Sequence, residues 1–294
     1  MAFMIFTKKI SKFKYYKATP TPSKEYLNNF YTNFYFKKKV TATYSKKYSK
    51  EELTNKIKRA NFIIDFINIG VRKKKFLDLG AGEGFLLRAA YEKNFKSILG
   101  VDYDDYAIKN FNKKIVKFFI KSNPDDFIKK TILKKEKFDI IALQNVLEHV
   151  PDPSSLILNI KKILFKRSYL LVQVPNDFKD LHFLLKIKKY IKRYWFFNPP
   201  QHLNYFNFNN IQYFFKMHGF KLTDAISDFP IELFLALKKN FVTNPKLMSK
   251  ASHNARLLFD NYILSQGFKK SYNFFKSCND VGIGRSMILI FRMM

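Results

Sequence analysis

Phe76-Leu77-Asp78-Leu79-Gly80-Ala81-Gly82-Glu83-Gly84-Phe85 is the stretch on which the reading of this chain turns. Its apolar start predicts a short buried strand, and three glycines at alternate positions predict a bend free of β-carbons. Such a bend lets backbone N–H groups approach a ligand closely, and Phe85 to Ala90 reads as the helix whose N-terminus then faces it. Spacing excludes two familiar loops. A dinucleotide fingerprint requires glycine at the first, third and sixth positions, yet the sixth position counted from Gly80 is Phe85. No Gly-Lys-Ser/Thr follows, so this is not a phosphate-binding P-loop.

Working outward, Ser97-Ile98-Leu99-Gly100-Val101 predicts a second strand ending in Asp102. An acid about 20 positions beyond a glycine loop is where a carboxylate accepts both hydroxyls of a ribose. The competing reading makes Asp102 one of several caps, with Asp104 or Asp105 equally suited to the helix starting at Tyr106. A third strand is expected over Val116 to Ile120. In the Asn123-Pro124-Asp125-Asp126 turn that follows, Asp125 or Asp126 either accepts from an exocyclic amine or caps the next helix. Phe138 to Pro153 reads as a buried strand breaking into a polar turn. The run Ile140 to Leu143 fits a central parallel strand, and Leu156 to Leu164 has helical spacing. A fifth strand, Tyr169 to Val174, stops at Pro175-Asn176. This alternation predicts an α/β fold, a doubly wound parallel sheet with its ligand at the carboxyl ends of the strands.

Together these segments resemble the class I S-adenosylmethionine-dependent methyltransferases, whose motif I, Asp-x-Gly-x-Gly-x-Gly, corresponds to Asp78, Gly80, Gly82 and Gly84. The resemblance implies a Rossmann-like, seven-stranded, mostly parallel sheet. It also implies S-adenosyl-L-methionine as cofactor, held by Asp78, Gly80, Ala81, Gly82, Gly84, Asp102, Tyr103 and Gln144. Phe138-Asp139-Ile140-Ile141 and Leu147-Glu148-His149 match the same family's fourth strand and following turn. Pro199-Pro200-Gln201-His202-Leu203-Asn204-Tyr205-Phe206-Asn207 is similar to a segment of the ubiquinone-biosynthesis branch, with Asn207 in place of the usual Ser. Asn caps a helix as Ser does. Phe229-Pro230, His253 to Arg256 and Gly282-Ile283-Gly284-Arg285 resemble the ends of bacterial methyltransferases encoded with glycan-assembly enzymes. Asn198-Pro199-Pro200 is a decoy. The Asn-Pro-Pro-Tyr motif of nucleic-acid and protein amino-methyltransferases lies at the end of strand four, whereas here strand four ends at Leu143-Gln144-Asn145 and Gln201 follows the prolines.

Methyl transfer from a sulfonium is an in-line displacement, so the protein must chiefly hold donor and nucleophile about 3 Å apart while excluding water. A hydroxyl acceptor benefits from a general base, for which the candidates are His149, His182 and His202, with His149 and His202 taken as catalytic. His149 is expected to begin the helix after strand four; its alternative role is to orient that loop. Tyr205 and Phe206 read either as an aromatic wall of the site or as core. The implied activity is methylation of a small molecule, with a sugar or glycan-precursor hydroxyl as leading acceptor. An RNA methyltransferase and a non-catalytic binding protein of the same fold are the alternatives.

The 294 residues carry a net charge of +31, which suits a polyanionic partner. The excess is nearly all lysine, however, and readers of nucleic acid favour arginine. Abundant Phe, Tyr, Asn and Ile beside only 9 Gly fit A/T-rich codon usage, so much of the basicity reads as drift on solvated faces, and nucleic acid is the less expected partner. Cys278 stands alone, which excludes an internal disulfide, and the sequence shows no clustered ligands that suggest a metal. Met1 to Ile10 lacks the marks of a signal peptide, and no run of ~18 apolar residues occurs, so a cytoplasmic location is expected.

Residues 1–70 are expected to form a helical, aromatic cap and 71–294 the methyltransferase domain, with a lid inserted at about 177–210. Pro20 and Pro22 break any early helix. Glu51 to Ile69 is the clear one, with Leu53, Ile57, Ala60, Ile64 and Ile67 on one face, a Ser49/Glu52 capping box and Gly70 as its stop. In the insertion, Phe183 to Trp195 predicts a basic amphipathic helix with Leu184, Ile187, Ile191 and Trp195 on one face. It reads as a lid packed on the domain or as a surface that touches anionic membrane, the latter suiting a lipid-linked acceptor.

Overall fold

The computed structural model describes residues 5–23, 25–27, 47–67, 75–237 and 239–294. It begins with a hairpin, β1 (Thr7–Ile10) and β2 (Tyr16–Thr19), and a helix, α1 (Lys50–Ile67). Strands and helices then alternate: β3 (Lys75–Leu79), α2 (Phe85–Glu92), β4 (Ser97–Asp102), α3 (Tyr106–Phe111), β5 (Phe119–Lys121), α4 (Pro124–Leu133), β6 (Phe138–Gln144), α5 (Pro153–Lys162) and β7 (Leu164–Pro175). An insertion carries α6 (Asp180–Ile187) and β8 (Asn204–Tyr205). The remainder is α7 (Phe208–Met217), β9 (Phe220–Ser227), α8 (Pro245–Ser265), α9 (Phe268–Asp280) and β10 (Ser286–Met293).

The main sheet has seven strands in the order β5-β4-β3-β6-β7-β10-β9. Strands β5, β4, β3, β6 and β7 pair in parallel, while β10 runs antiparallel between β7 and β9. The period-2 alternation of side chains divides the strands between two cores. Leu77, Ile141, Leu143, Leu170, Val172, Leu289 and Phe291 face the side covered by α4, α5 and α7. Phe76, Ile140, Ala142, Leu171, Ile288 and Ile290 face Phe62, Ile63 and Phe66 of α1, Leu86 and Leu87 of α2, and Phe275 of α9. Each buried Leu, Ile, Val or Phe among them contributes about 1.5–3 kcal/mol of transfer free energy. Because the chain leaves β3 for β4 and β5 on one side and returns to β6 on the other, a crevice opens at the carboxyl ends of β3 and β6.

Several expectations shift. The capping box of α1 is present, Ser49 Oγ accepting from Glu52 N at 3.1 Å and Glu52 Oε2 from Ser49 N at 2.8 Å. The predicted stop, Gly70, lies outside the described residues. The N-terminal segment contains a hairpin as well as helix. Tyr16 and Ala18 of β2 share one face and pack with Leu203, Tyr205 and Phe178, and β2 pairs antiparallel with β8 to make a second, three-stranded sheet. Hairpin and insertion therefore form one layer. The third strand is shorter and later than expected, since Lys113–Phe118 is a 3-10 helix whose Ile115 turns into the core. The amphipathic helix stops at Ile187. Lys189 adopts a left-handed backbone (φ 60°), which turns Ile191 inward onto Leu185 and Leu235 and leaves Leu184 and Ile187 exposed. Among the described residues, no helix is long and apolar enough to cross a membrane.

Candidate active site

The glycine loop sits at the carboxyl end of β3. Gly80 has φ 87°, and a β-carbon there would stand 2.5 Å from Val146 Cγ2, so the loop is pressed against the turn that follows β6. The amides of Gly80 and Ala81 both donate to Val101 O, at 2.8 and 3.1 Å. Gly82 N donates to Asp102 Oδ2 at 2.8 Å, and Tyr103 N donates to Asp102 Oδ1 at 2.7 Å. Loop and acid are thus in direct contact, as the sequence reading requires. Gly84 caps α2 in left-handed backbone (φ 75°). Burial raises the Asp102 carboxyl above its ordinary value, and the two amide bonds oppose that rise.

Asp78 is buried just beneath. Burial first, and Asp102 second, push its carboxyl up to about 7, and its Oδ1 has no hydrogen-bond partner among the described residues. Glu83, between the glycines, ties the loop to α1. It accepts from Tyr48 Oη and pairs with Lys56 at 2.7 Å, while its carbonyl accepts from Asn112 Nδ2 at 2.7 Å. Tyr103 stands half exposed at the rim. Burial, then Asp125, raise its phenol to about 12. Asp104 Oδ1 accepts from Tyr106 N at 2.7 Å, and Asn123 caps α4 by accepting from Asp125 N at 2.9 Å. The cap of α4 is therefore Asn123, which leaves Asp125 and Asp126 in its first turn. At the end of β6, Gln144 donates to Gln173 Oε1 of β7 at 3.0 Å, which fixes its amide across the two strand ends.

The other half of the site is assembled from distant segments. Asn145 takes a left-handed conformation (φ 53°) after β6, and Glu148 and His149 sit in the ensuing turn rather than at the helix start, which is Pro153 capped by Asp152. The insertion clips onto this turn. Leu203 N and Asn204 N donate to Glu148 O at 2.8 and 3.1 Å, and the buried Asn204 side chain donates to Leu147 O and Val150 O at 3.1 and 2.7 Å. The His149 and His202 rings are thereby brought to 4.9 Å, nearly perpendicular. His149 Nδ1 bonds to Gln201 O at 2.6 Å. Because a carbonyl only accepts, Nδ1 carries the proton and Nε2 the lone pair. Burial pushes His149 down to about 4, and burial with His149 and Arg285 holds His202 well below the ordinary value, so both rings are neutral at neutral pH.

Glu148 is the residue the sequence reading missed. It is 1 % exposed, its Oε2 has no hydrogen-bond partner among the described residues, and burial raises its carboxyl to about 8, with Arg285 opposing. Oε1 lies 3.9 Å from His149 Nε2. Glu148, His149 and His202 offer three ligand atoms within 4.8 Å of one another, a donor set of the kind that holds a divalent cation; Glu148 and His149 are neighbours in the sequence, and His202 joins them only through the fold. His182, the third candidate base, belongs elsewhere. It is fully buried and bonded to Glu232 at 3.2 Å, in a network where Lys179 also pairs with Glu232 and Arg285 pairs with Asp177 at 2.7 Å. This network roots the insertion, with Lys179 Nζ donating to the carbonyls of Ile283 and Gly284. Tyr205 and Phe206 are core.

A seven-stranded, doubly wound sheet with a glycine loop touching an acid at the end of the next strand defines the class I methyltransferase fold. The comparisons agree: the family described as "Methyltransferase domain" matches residues 45–225, and the chain belongs to it. A curated relative, the ubiquinone biosynthesis O-methyltransferase of Pasteurella multocida, is 31% identical over 126 residues, which are 36% of this chain and 48% of the relative. The protein of the same name from Actinobacillus pleuropneumoniae is 35% identical over 101 residues, 32% of this chain and 43% of the relative. The chain thus spans about half the length of the curated relatives it matches. A solved SAM-dependent methyltransferase from Archaeoglobus fulgidus superposes with a TM-score of 0.50 at 17% identity, covering 83% of this chain and 95% of that one, and shares the fold.

Proposed function

We propose that this chain is an S-adenosyl-L-methionine-dependent O-methyltransferase of a small molecule, with a sugar or glycan-precursor hydroxyl as its acceptor. The observation that carries the reading is the Gly82–Asp102 contact at the mouth of the β3–β6 crevice, on the strand next to the one that ends in the His149 turn. The residues present fit the cofactor. Asp102 has lone pairs beyond those its two amide bonds use, which suits a pair of ribose hydroxyls. The buried oxygen of Asp78, without a partner among the described residues, suits a cationic group, and a cation beside it restores the ionised carboxylate that burial opposes. Gly80, Ala81, Gly82 and Gly84 supply the close backbone, Tyr103 a rim contact and Gln144 the crevice floor. When bound, the cofactor supplies an electrophilic methyl carbon.

On the acceptor side, His149 Nε2 takes the proton of the attacking hydroxyl, and Gln201 O holds the ring in the tautomer this requires. His202, also neutral, is the second base. The name shared by the curated relatives supports oxygen as the acceptor atom. The test is transfer of radiolabelled methyl from S-adenosyl-L-methionine to a panel of sugar nucleotides, lipid-linked glycans, hydroxylated quinone precursors and a short RNA. Incorporation into a hydroxyl-bearing small molecule, lost in His149→Ala, is expected. Incorporation into RNA alone, or into nothing while the cofactor still binds, contradicts the proposal.

A further inference from the structure

Two lysines from distant parts of the chain converge on one aromatic ring. Lys8 Nζ of β1 lies 4.1 Å from the Phe178 centroid, 4.4 Å from Tyr16 and 5.3 Å from Tyr194, and Lys186 Nζ of α6 lies 4.6 Å from Tyr194. They border an open groove of about 780 Å³ between the hairpin and the insertion, whose other lining residues include Lys192, Arg193 and Trp195. Among the described residues, no carboxylate lines it. Among the described residues none of these four cations is in an ion pair, although the chain's acids pair with other lysines and arginines throughout. Burial and the charge of Lys186 push the Lys8 ammonium below its ordinary value, as happens when like charges face each other without an anion between them.

We propose that this groove is a binding site for a phosphoryl group, a phosphodiester or diphosphate whose oxygens the ammonium and guanidinium groups share. Four cations with no ion pair among the described residues call for more than one negative charge, and a tetrahedral phosphoryl group presents oxygens to several donors at once. Cation–π contacts hold Lys8 in place before the anion arrives, and Tyr194 and Trp195 give the rest of the ligand a flat apolar wall. The same chemistry is offered by a soluble phosphate ester and by a phospholipid headgroup. The second source is relevant because Leu184 and Ile187, on the same helix as Lys186, are 51% and 75% exposed. The proposal is independent of the methyl acceptor, so its failure leaves the methyl-transfer reading where it stands.

Trp195 is the chain's single tryptophan and lines the groove, so its fluorescence reports there, and the Lys8 and Lys186 variants separate a groove signal from one arising at its other contacts with His182 and Phe241. The full chain is titrated with inorganic pyrophosphate at constant ionic strength, against chloride, and separately with vesicles of phosphatidylcholine with and without phosphatidylglycerol. A saturable change below about 1 mM pyrophosphate, weakened at least about ten-fold in Lys8→Ala/Lys186→Ala, supports the site and a soluble source. A change with anionic vesicles alone, lost in the same variant, supports the site with a headgroup as its source. Lys189→Ala, outside the groove, should behave as wild type. Lys186→Gln alone, at an exposed position, provides the same comparison should the double variant fail to fold. No saturable response to either probe, or one that the Lys8 and Lys186 substitutions leave intact, overturns the proposal.

Discussion

The two halves of the crevice are built in opposite ways. On the β3–β4 side, loop and acid come from adjacent strands and are joined by backbone amides: Gly80 and Ala81 to Val101 O, Gly82 and Tyr103 to the Asp102 carboxylate. On the β6 side, the turn Leu147–Val150 meets residues 201–204 some fifty positions away, and the junction buries Glu148 and partly buries two neutral imidazoles. On the proposed function, a cofactor common to many enzymes would be met by local backbone, and the acceptor by side chains that tertiary packing must bring together. Changes on one side should therefore leave the other side's readout alone.

The largest effect is expected for His149→Ala, which should lower kcat by about 10²–10⁴-fold in a methyl-transfer assay while cofactor affinity stays within about two-fold. Equal loss of both would merge the two halves. In the wild type, burial keeps His149 neutral down to about pH 4, so the acid limb of kcat/KM should fall near 4 and not near 6.5. Glu148→Gln comes next. Burial raises the folded-state carboxyl from 4.5 to about 8, so the stability Glu148 contributes is fully present below 4.5 and is lost as pH rises through about 8. Urea melts should show Glu148→Gln gaining a few kcal/mol on wild type between about pH 5 and about pH 9. A gap that is flat with pH would mean Glu148 is ionised throughout.

Asn204→Ala removes two buried donors that join insertion to turn, so it should cost about 1–3 kcal/mol in chemical denaturation and lower kcat more than cofactor affinity. Asp105→Ala should do least. Its carboxylate pairs with Lys109 and Lys121 at the surface, and both melting temperature and cofactor affinity should stay at wild-type values.

What the sequence conveyed follows the same division. The glycine loop, Asp102, the end of the fourth strand at Gln144, the capping box at Ser49 and the cap at Asn207 were legible because each is a local pattern with its own hydrogen bonds, whereas the reciprocal bond from Asn210 that completes a box at Asn207 was not foreseen. The hairpin was not, because β2 is held between β1 and the distant β8 and packs with the aromatic cluster of Phe178 and Tyr205. The amphipathic pattern over Phe183 to Trp195 misled for a related reason: Ile191 packs on Leu235, a contact that a helix continuing past Lys189 does not make. Glu148 was quoted in its motif without a role, since a carboxylate's burial, and the proton it then keeps, are not visible in its neighbours along the chain.

The most direct test of the central claim, that the Gly82–Asp102 rim holds an adenosyl cofactor, is calorimetric titration with S-adenosylhomocysteine. Wild type should bind in the micromolar range with one site, and Asp102→Ala should bind at least about ten-fold more weakly with its melting curve unchanged. No heat from wild type at about 1 mM ligand, or equal affinity in folded Asp102→Ala, would contradict it.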